Sequence, residues 1–179
     1  QGRGLQGALL GEHDGQSRMS AWDSPDWRAE RNEHLVKWLR GDHQALAFVL
    51  SVSQIAETWD DLIDRDQPIT AEAVNRAFSL ALVELPVNQF YRAHEGMLYP
   101  LIATAINAWL DANALELSTE RSRREAAFHL RNFGHEITLM AIRLVGGWEH
   151  LRSVSLEVRL YFAHEDFQGW ENRHGAAAA

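Results

Sequence analysis

An all-α fold is what the sequence predicts, and three observations carry the prediction. Apolar residues recur at spacings of three and four over long segments, the period of a helix with one buried side. The four prolines, Pro25, Pro68, Pro86 and Pro100, sit where helices would begin or end. No segment alternates apolar and polar residues between turn signals, as a half-buried strand does. The expectation is a single-domain bundle of five to seven helices over residues 21–172. A flexible tail at 1–20 precedes it and a frayed end at 173–179 follows.

The tail is read from Gly2, Gly4, Gly7, Gly11 and Gly15, interrupted only by Leu5 and the run Ala8, Leu9 and Leu10. Such chain loses much entropy on ordering. Met19 is a candidate natural start within it. Asp23 or Ser24 is placed to cap a first helix that has Pro25 in its first turn and runs to Arg40, before Gly41. Trp27, Leu35, Trp38 and Leu39 form its apolar side. A second helix is expected over 42–64, where Ala45, Phe48, Val52, Ile55, Trp59 and Leu62 make one stripe. A turn at Asp66-Gln67-Pro68 leads to a helix capped by Thr70, with Val74, Ala77, Phe78, Ala81 and Leu85 inward, ended by Pro86. A short helix over 89–95 and another starting at Pro100 follow, the latter carrying Ile102, Ala105, Ile106, Trp109 and Leu110. Ser118 or Thr119 caps a long helix to about Val145, stopped by Gly146-Gly147. A last helix covers 148–166.

The chain has 179 residues, 17 Lys and Arg against 25 Asp and Glu, a net charge of −8 and no cysteine. Without cysteine there is no disulfide framework, thiolate nucleophile or Cys-ligated zinc. The acidic balance argues against nucleic-acid phosphates and anionic membranes as partners. No apolar run reaches the ~20 residues of a membrane span, and no signal-peptide core is visible, so no export by a signal peptide is expected. Phosphate-loop, nucleophile-elbow and dinucleotide-binding glycine motifs are all absent.

The most informative segment is Glu57-Thr58-Trp59-Asp60-Asp61-Leu62-Ile63-Asp64. Glu57, Asp61 and Asp64 fall at i, i+4 and i+7 on one helical line, with Asp60 beside them. Like charges at that spacing repel, and their position near a helix C-terminus opposes the helix dipole. Two remedies are open. The carboxylates face solvent or pair with Arg65, Arg76 or Arg92, or they gather around a hard divalent cation such as Mg²⁺.

A second polar line, Glu125, His129, Asn132 and Glu136, runs along the expected long helix. In the simplest reading it is an exposed face paired with arginines. Its functional alternative is a ligand set opposite the acidic helix, with Glu136 completing the metal residues Glu57, Asp60, Asp61 and Asp64. Arg121, Arg123 and Arg124 cluster at the start of that helix. Arg121 and Arg124 are the candidates for holding a phosphate there, though such a cluster is also an ordinary solvated face. His164-Glu165-Asp166 resembles a ligand group in composition only, because adjacent helical residues point about 100° apart. Of the tryptophans, Trp22 and Trp170 are the candidates for a partner surface.

Asp60-Asp61-Leu62-Ile63-Asp64 has the form DDxxD and resembles the first aspartate-rich motif of class I isoprenoid synthases. That resemblance covers one helix. It implies Mg²⁺ on Asp60, Asp61 and Asp64 and a diphosphate-containing substrate. No second DDxxD and no Asn/Ser/Glu metal triad follows. A broader resemblance rests on Trp59-Asp60-Asp61-Leu62-Ile63-Asp64, Ala81-Leu82-Val83-Glu84-Leu85-Pro86 and Asn88-Gln89-Phe90-Tyr91. Over about residues 30–170 the chain is similar to small all-α proteins of tailed bacteriophages. This implies a setting rather than a reaction: a virion, assembly or adaptor protein with a protein partner or a second copy, located in host cytoplasm or virion. The expectation is therefore an interaction protein, with an Mg²⁺-dependent enzyme as the alternative.

Overall fold

The computed structural model describes residues 25–65, 68–163 and 166–174. The chain divides into two compact units, Gln1–Glu33 and His34–Ala179. In the first, only 25–33 are described. They form the opening of α1 (Pro25–Trp38), where the Arg31 guanidinium lies 4.8 Å above the Trp27 ring, a cation–π contact. The 1–20 tail, the proposed caps Asp23 and Ser24, and Trp22 lie outside the described residues.

The second unit is an all-α bundle, and no strand occurs among the described residues. After α1 the backbone turns through Arg40 and Gly41, at φ 53 and 73. Asp42 then caps α2 (His43–Asp64), its carboxylate accepting from the Gln44 and Ala45 N–H groups at 2.9 Å each. Asp42→Ala should therefore cost about 1 kcal/mol, with Asp42→Asn recovering most of it. Urea unfolding of the pair checks this, and equal midpoints for both variants would contradict it.

Thr70 caps α3 (Ala71–Ser79) as expected, accepting from Ala73 N–H at 3.1 Å. The rod does not end at Pro86. A π-helical turn at Leu80–Glu84 leads into α4 (Leu85–Val87), with Pro86 in its first turn. Because the rod is continuous, the missing proline N–H leaves the preceding turn one donor short. Ala77 and Leu80 point inward, but Phe78 is 61% exposed, contrary to the sequence expectation.

Asn88 caps α5 (Gln89–Glu116) through Tyr91 N–H at 2.8 Å. The two helices expected around 89–95 and from Pro100 are one helix with a kink. Pro100 lies inside it, and the backbone leaves helical geometry at His94 (φ −124, ψ 16). Proline offers no N–H to the preceding turn and crowds it, so the bend falls on its N-terminal side.

The expected long helix from Ser118 or Thr119 to Val145 is two. α6 (Arg121–Arg131) ends in a 3-10 turn, Asn132–Gly134, and α7 (His135–Phe162) follows. Ser118 Oγ accepts from Glu120 N–H at 3.1 Å, which closes the loop before α6. Gly146-Gly147 kinks α7 rather than ending it, with Gly147 at φ 79 and ψ −175. A Cβ on Gly146 would lie 2.1 Å from the His150 ring. That ring donates from Nε2 to the Trp38 carbonyl at 2.7 Å. The glycine thus makes room for the imidazole that satisfies the end of α1. A further helix, α8 (Phe167–His174), was not foreseen. With α3 through α4 counted as one rod, seven helical rods occupy the described residues.

The main core joins Leu35, Trp38 and Leu39 of α1 to Phe48 of α2, Leu98 of α5 and Ile142 and Val158 of α7. Each such burial contributes roughly 1.5–3 kcal/mol. A smaller cluster of Ala112, Ala127 and Trp170 seats α8 against α5 and α6, with Phe128 and Phe167 packed around it. Among the described residues, no helix is long and apolar enough to cross a membrane.

Candidate functional site

The acidic helix does gather around a positive charge, and that charge is a side chain. Asp60 and Asp64, one turn apart near the end of α2, both face Arg131, the last residue of α6. A cation there also complements the negative end of its own helix. Arg131 Nη1 donates to Asp60 Oδ1 at 3.2 Å, and Nη2 to Asp64 Oδ2 at 3.2 Å. Glu116 Oε2 accepts from Nε at 3.0 Å and from Nη2 at 2.8 Å. Asn113 Oδ1 accepts from Nη2 at 3.1 Å. Every nitrogen of the guanidinium fork is engaged, a geometry that lysine could not reproduce.

Trp109 closes the arrangement from α5. Its indole N–H donates to Asp60 Oδ1 at 2.8 Å, and its ring packs on Trp59 at 4.2 Å. Trp109, Asn113 and Glu116 follow at i, i+4 and i+7, so one face of α5 supplies all three. The clamp therefore binds α2, α5 and α6 together. Burial pushes the Asp60 carboxyl above its usual value and Asp64 adds to this, while the Trp109 N–H and Arg131 oppose it. Burial also works against the Arg131 charge, but Glu116, Asp60 and Asp64 outweigh it and hold the guanidinium above its ordinary value.

The sequence-proposed metal residues are not brought together. Asp60 and Asp64 meet at Arg131, in the place the sequence reading gave to Mg²⁺. Glu57 is exposed and Asp61 half-buried. Glu136 lies beyond the 3-10 break and is ion-paired with Arg159 of its own helix. The break also divides the line Glu125, His129, Asn132 and Glu136. Glu125 and His129 are exposed, and the Asn132 amide donates to the Phe128 carbonyl at 3.1 Å. Among the described residues, no group of three or more His, Asp or Glu side chains is arranged to hold a metal ion.

Arg121 and Arg124 do share a site, but a carboxylate of the chain itself fills it. Glu171 of α8 accepts from Arg124 Nη2 at 2.7 Å and from Arg121 Nε at 3.4 Å. Arg124 also donates to the Ser118 carbonyl at 2.9 Å, and Arg121 lies 5.2 Å over the Phe167 ring. The pair serves to dock α8. Trp170, proposed as a partner surface, is 4% exposed beneath that helix. Asp166 caps α8 by accepting from Gly169 N–H at 2.7 Å, whereas His164 and Glu165 lie outside the described residues.

A hollow of about 240 Å³ lies between α2 and α3, lined by Ile55, Thr58, Trp59, Leu62, Val74, Ala77, Phe78 and Ala81. Trp59 belongs to both features, so the clamp on its Trp109 side fixes one wall of the hollow. Beside it, the rod from α3 to α4 exposes Phe78, Leu82, Val83 and Val87 at 61%, 71%, 61% and 65%. The π turn carries two of these four residues and spaces them from the flanking pair. Such turns recur at functional positions. The sequence reading missed this face. Its signal was available in Leu82-Val83 and Val87, apolar residues that the inward stripe did not use. No protein-family model, curated protein or solved structure matches the chain.

Proposed function

We propose that the chain works by docking onto another macromolecule, as a phage-type interaction or assembly protein in host cytoplasm or virion, and that the α2–α3 face is its docking surface. One observation carries this reading: the charged clusters that the sequence offered for chemistry are ion-paired within the fold, while a row of large apolar side chains on the α3–α4 rod is among those left in solvent. Arg131 answers Asp60 and Asp64, and Glu171 answers Arg121 and Arg124. Phe78, Leu82, Val83 and Val87 stand largely in solvent beside an apolar hollow that Phe78 helps to line. Exposed patches of that kind mark interaction surfaces. With a net charge of −8, a protein surface is a better match than a nucleic acid.

Two measurements test the proposal. Calorimetric titration of Mg²⁺ and of Mn²⁺ should give no binding heat with the native chain. A heat that disappears in Asp61→Ala would restore a metal site and overturn the reading. A photo-reactive residue at position 82, in the cell that makes the protein, should yield a discrete protein adduct. The same residue at Leu156, exposed on α7, should not. Absence of any adduct from position 82 would count against docking at this face.

A further inference from the structure

We infer that the groove between α5 and α6 beneath α8 is a second protein-binding site, and that α8 is its built-in competitor. The ligand that takes the place of α8 is a helical segment of a partner protein, with aromatic side chains at i and i+3 and a carboxylate at i+4. This site is separate from the α2–α3 face and stands or falls without it.

α8 sits on the bundle in the manner of a docked peptide. Phe167, Trp170 and Glu171 fall at i, i+3 and i+4 and share one helical face. Short amphipathic helices enter grooves through side chains so spaced. Trp170 is 4% exposed and rests on Ala112 of α5 and Ala127 of α6, both fully buried. The two small side chains leave room for an indole between the rods. Phe128 of α6 closes one side, its ring 5.8 Å from those of Phe167 and Trp170. Next to the indole, Glu171 accepts from Arg124 Nη2 at 2.7 Å and from Nε at 3.2 Å. α8 gives no residue to the main core, so its apolar attachment rests on this small cluster.

The receptor side does not depend on α8 for its shape. Arg131, one turn beyond Ala127, ties α6 to Asn113 and Glu116 of α5. Arg124 is held independently by the Ser118 carbonyl at 2.9 Å. With α8 lifted, an apolar slot and a positioned guanidinium remain, and both suit what α8 now supplies. The chain carries −8 overall, yet Arg121, Arg123 and Arg124 gather at this end of α6. An acidic ligand helix is therefore drawn to this place on a protein whose net charge repels it. An eight-residue helix has little stability alone, so α8 keeps its seat chiefly because it is tethered. A free ligand competes with that tether, and its affinity should rise when α8 is undocked.

The test uses the full chain and a fluorescent peptide with the sequence of residues 166–174. Trp170→Ala combined with Glu171→Gln should undock α8, with hydrogen exchange showing α2 and the first half of α7 still protected. Fluorescence anisotropy should then show saturable binding of the peptide. The native chain should bind it at least about tenfold more weakly, because the tethered α8 competes at an effective concentration near the millimolar. Glu171→Gln alone, a milder change, should fall between the two. A peptide carrying both changes should not bind. Arg124→Met placed in the undocked chain should lower the affinity by about tenfold. Equal binding by native and undocked chains, binding that Arg124→Met leaves unchanged, or no binding by either undocked variant overturns the inference. Sedimentation of the native chain tests the occupant. A monomer supports a foreign partner, whereas dimers that are lost in Trp170→Ala would make the ligand the α8 of a second copy and overturn that assignment.

Discussion

Replacing Arg131 with methionine should destabilise the protein by about 3 kcal/mol at neutral pH, among the largest losses expected from any single polar substitution here. The side chain is 14% exposed and serves Asp60, Asp64 and Glu116 together. Methionine keeps much of the volume but leaves three carboxylates facing one another from two helices, α2 and α5. Lysine restores the charge without the fork, so Arg131→Lys should recover only part of the loss. Acid should narrow the gap between Arg131→Met and the native chain, because protonation relieves the repulsion.

Asp60 separates charge from geometry within the same clamp. Its carboxyl is raised above the ordinary value, chiefly by burial. The folded protein thus holds that proton more tightly than the unfolded chain does. The resulting stabilisation is fully present below the unfolded pKa and is lost as pH rises through the folded one. Asp60→Asn keeps an oxygen for the Trp109 indole and for Arg131 while removing the costly charge. Its stability at neutral pH should equal or exceed that of the native chain, opposite in sign to Arg131→Met. Urea unfolding of the three proteins at neutral and mildly acidic pH decides the matter. A large loss in Asp60→Asn would mean that the charge itself, not its hydrogen bonds, holds α2 to α5 and α6.

The clamp shows which parts of the arrangement were legible in the sequence. The acidic line on α2 and the need for a positive charge among it were readable from helical spacing alone. The cation was not, because the arginines considered, Arg65, Arg76 and Arg92, were near in sequence. Arg131 is 67 residues from Asp64 and 71 from Asp60. Only the packing of α6 against α5 brings it there. Helix caps at Asp42 and Thr70 were legible because capping is local chemistry. The continuation through Pro86 and the break at Asn132–Gly134 were not, since they depend on how neighbouring rods pack. The extra residue of the π turn eludes any reading based on a fixed period of 3.6. It also accompanies the exposed apolar row, whose residues Leu82, Val83 and Val87 were readable as left over from the inward stripe but not as one face.

Trp170→Ala is the second large effect expected, and its form differs from the first. Truncating a buried tryptophan removes about 3–5 kcal/mol of packing. Trp170 packs with Ala112 and Ala127 in a cluster that includes Phe128 and Phe167. An eight-residue helix has no stability of its own. The loss should therefore be met by release of α8 rather than by unfolding of the bundle, so the global midpoint falls by less than the packing term. Hydrogen exchange should show α8 amides unprotected in Trp170→Ala, with α2, α5 and the first half of α7 still protected. Acid should act on the native chain in the same way. Glu171 is held below the usual carboxylate range, first by its hydrogen bond to Arg124 and further by Arg121. A depressed carboxyl contributes stability above its unfolded pKa and loses it as pH falls through the folded value. Protonation thus removes the anchor that keeps Arg121 and Arg124 on α8, and Glu171→Gln should reproduce the effect at neutral pH. If exchange in Trp170→Ala rises equally in every helix, α8 is part of the global folding unit, and the two arginines anchor the whole bundle rather than its last helix.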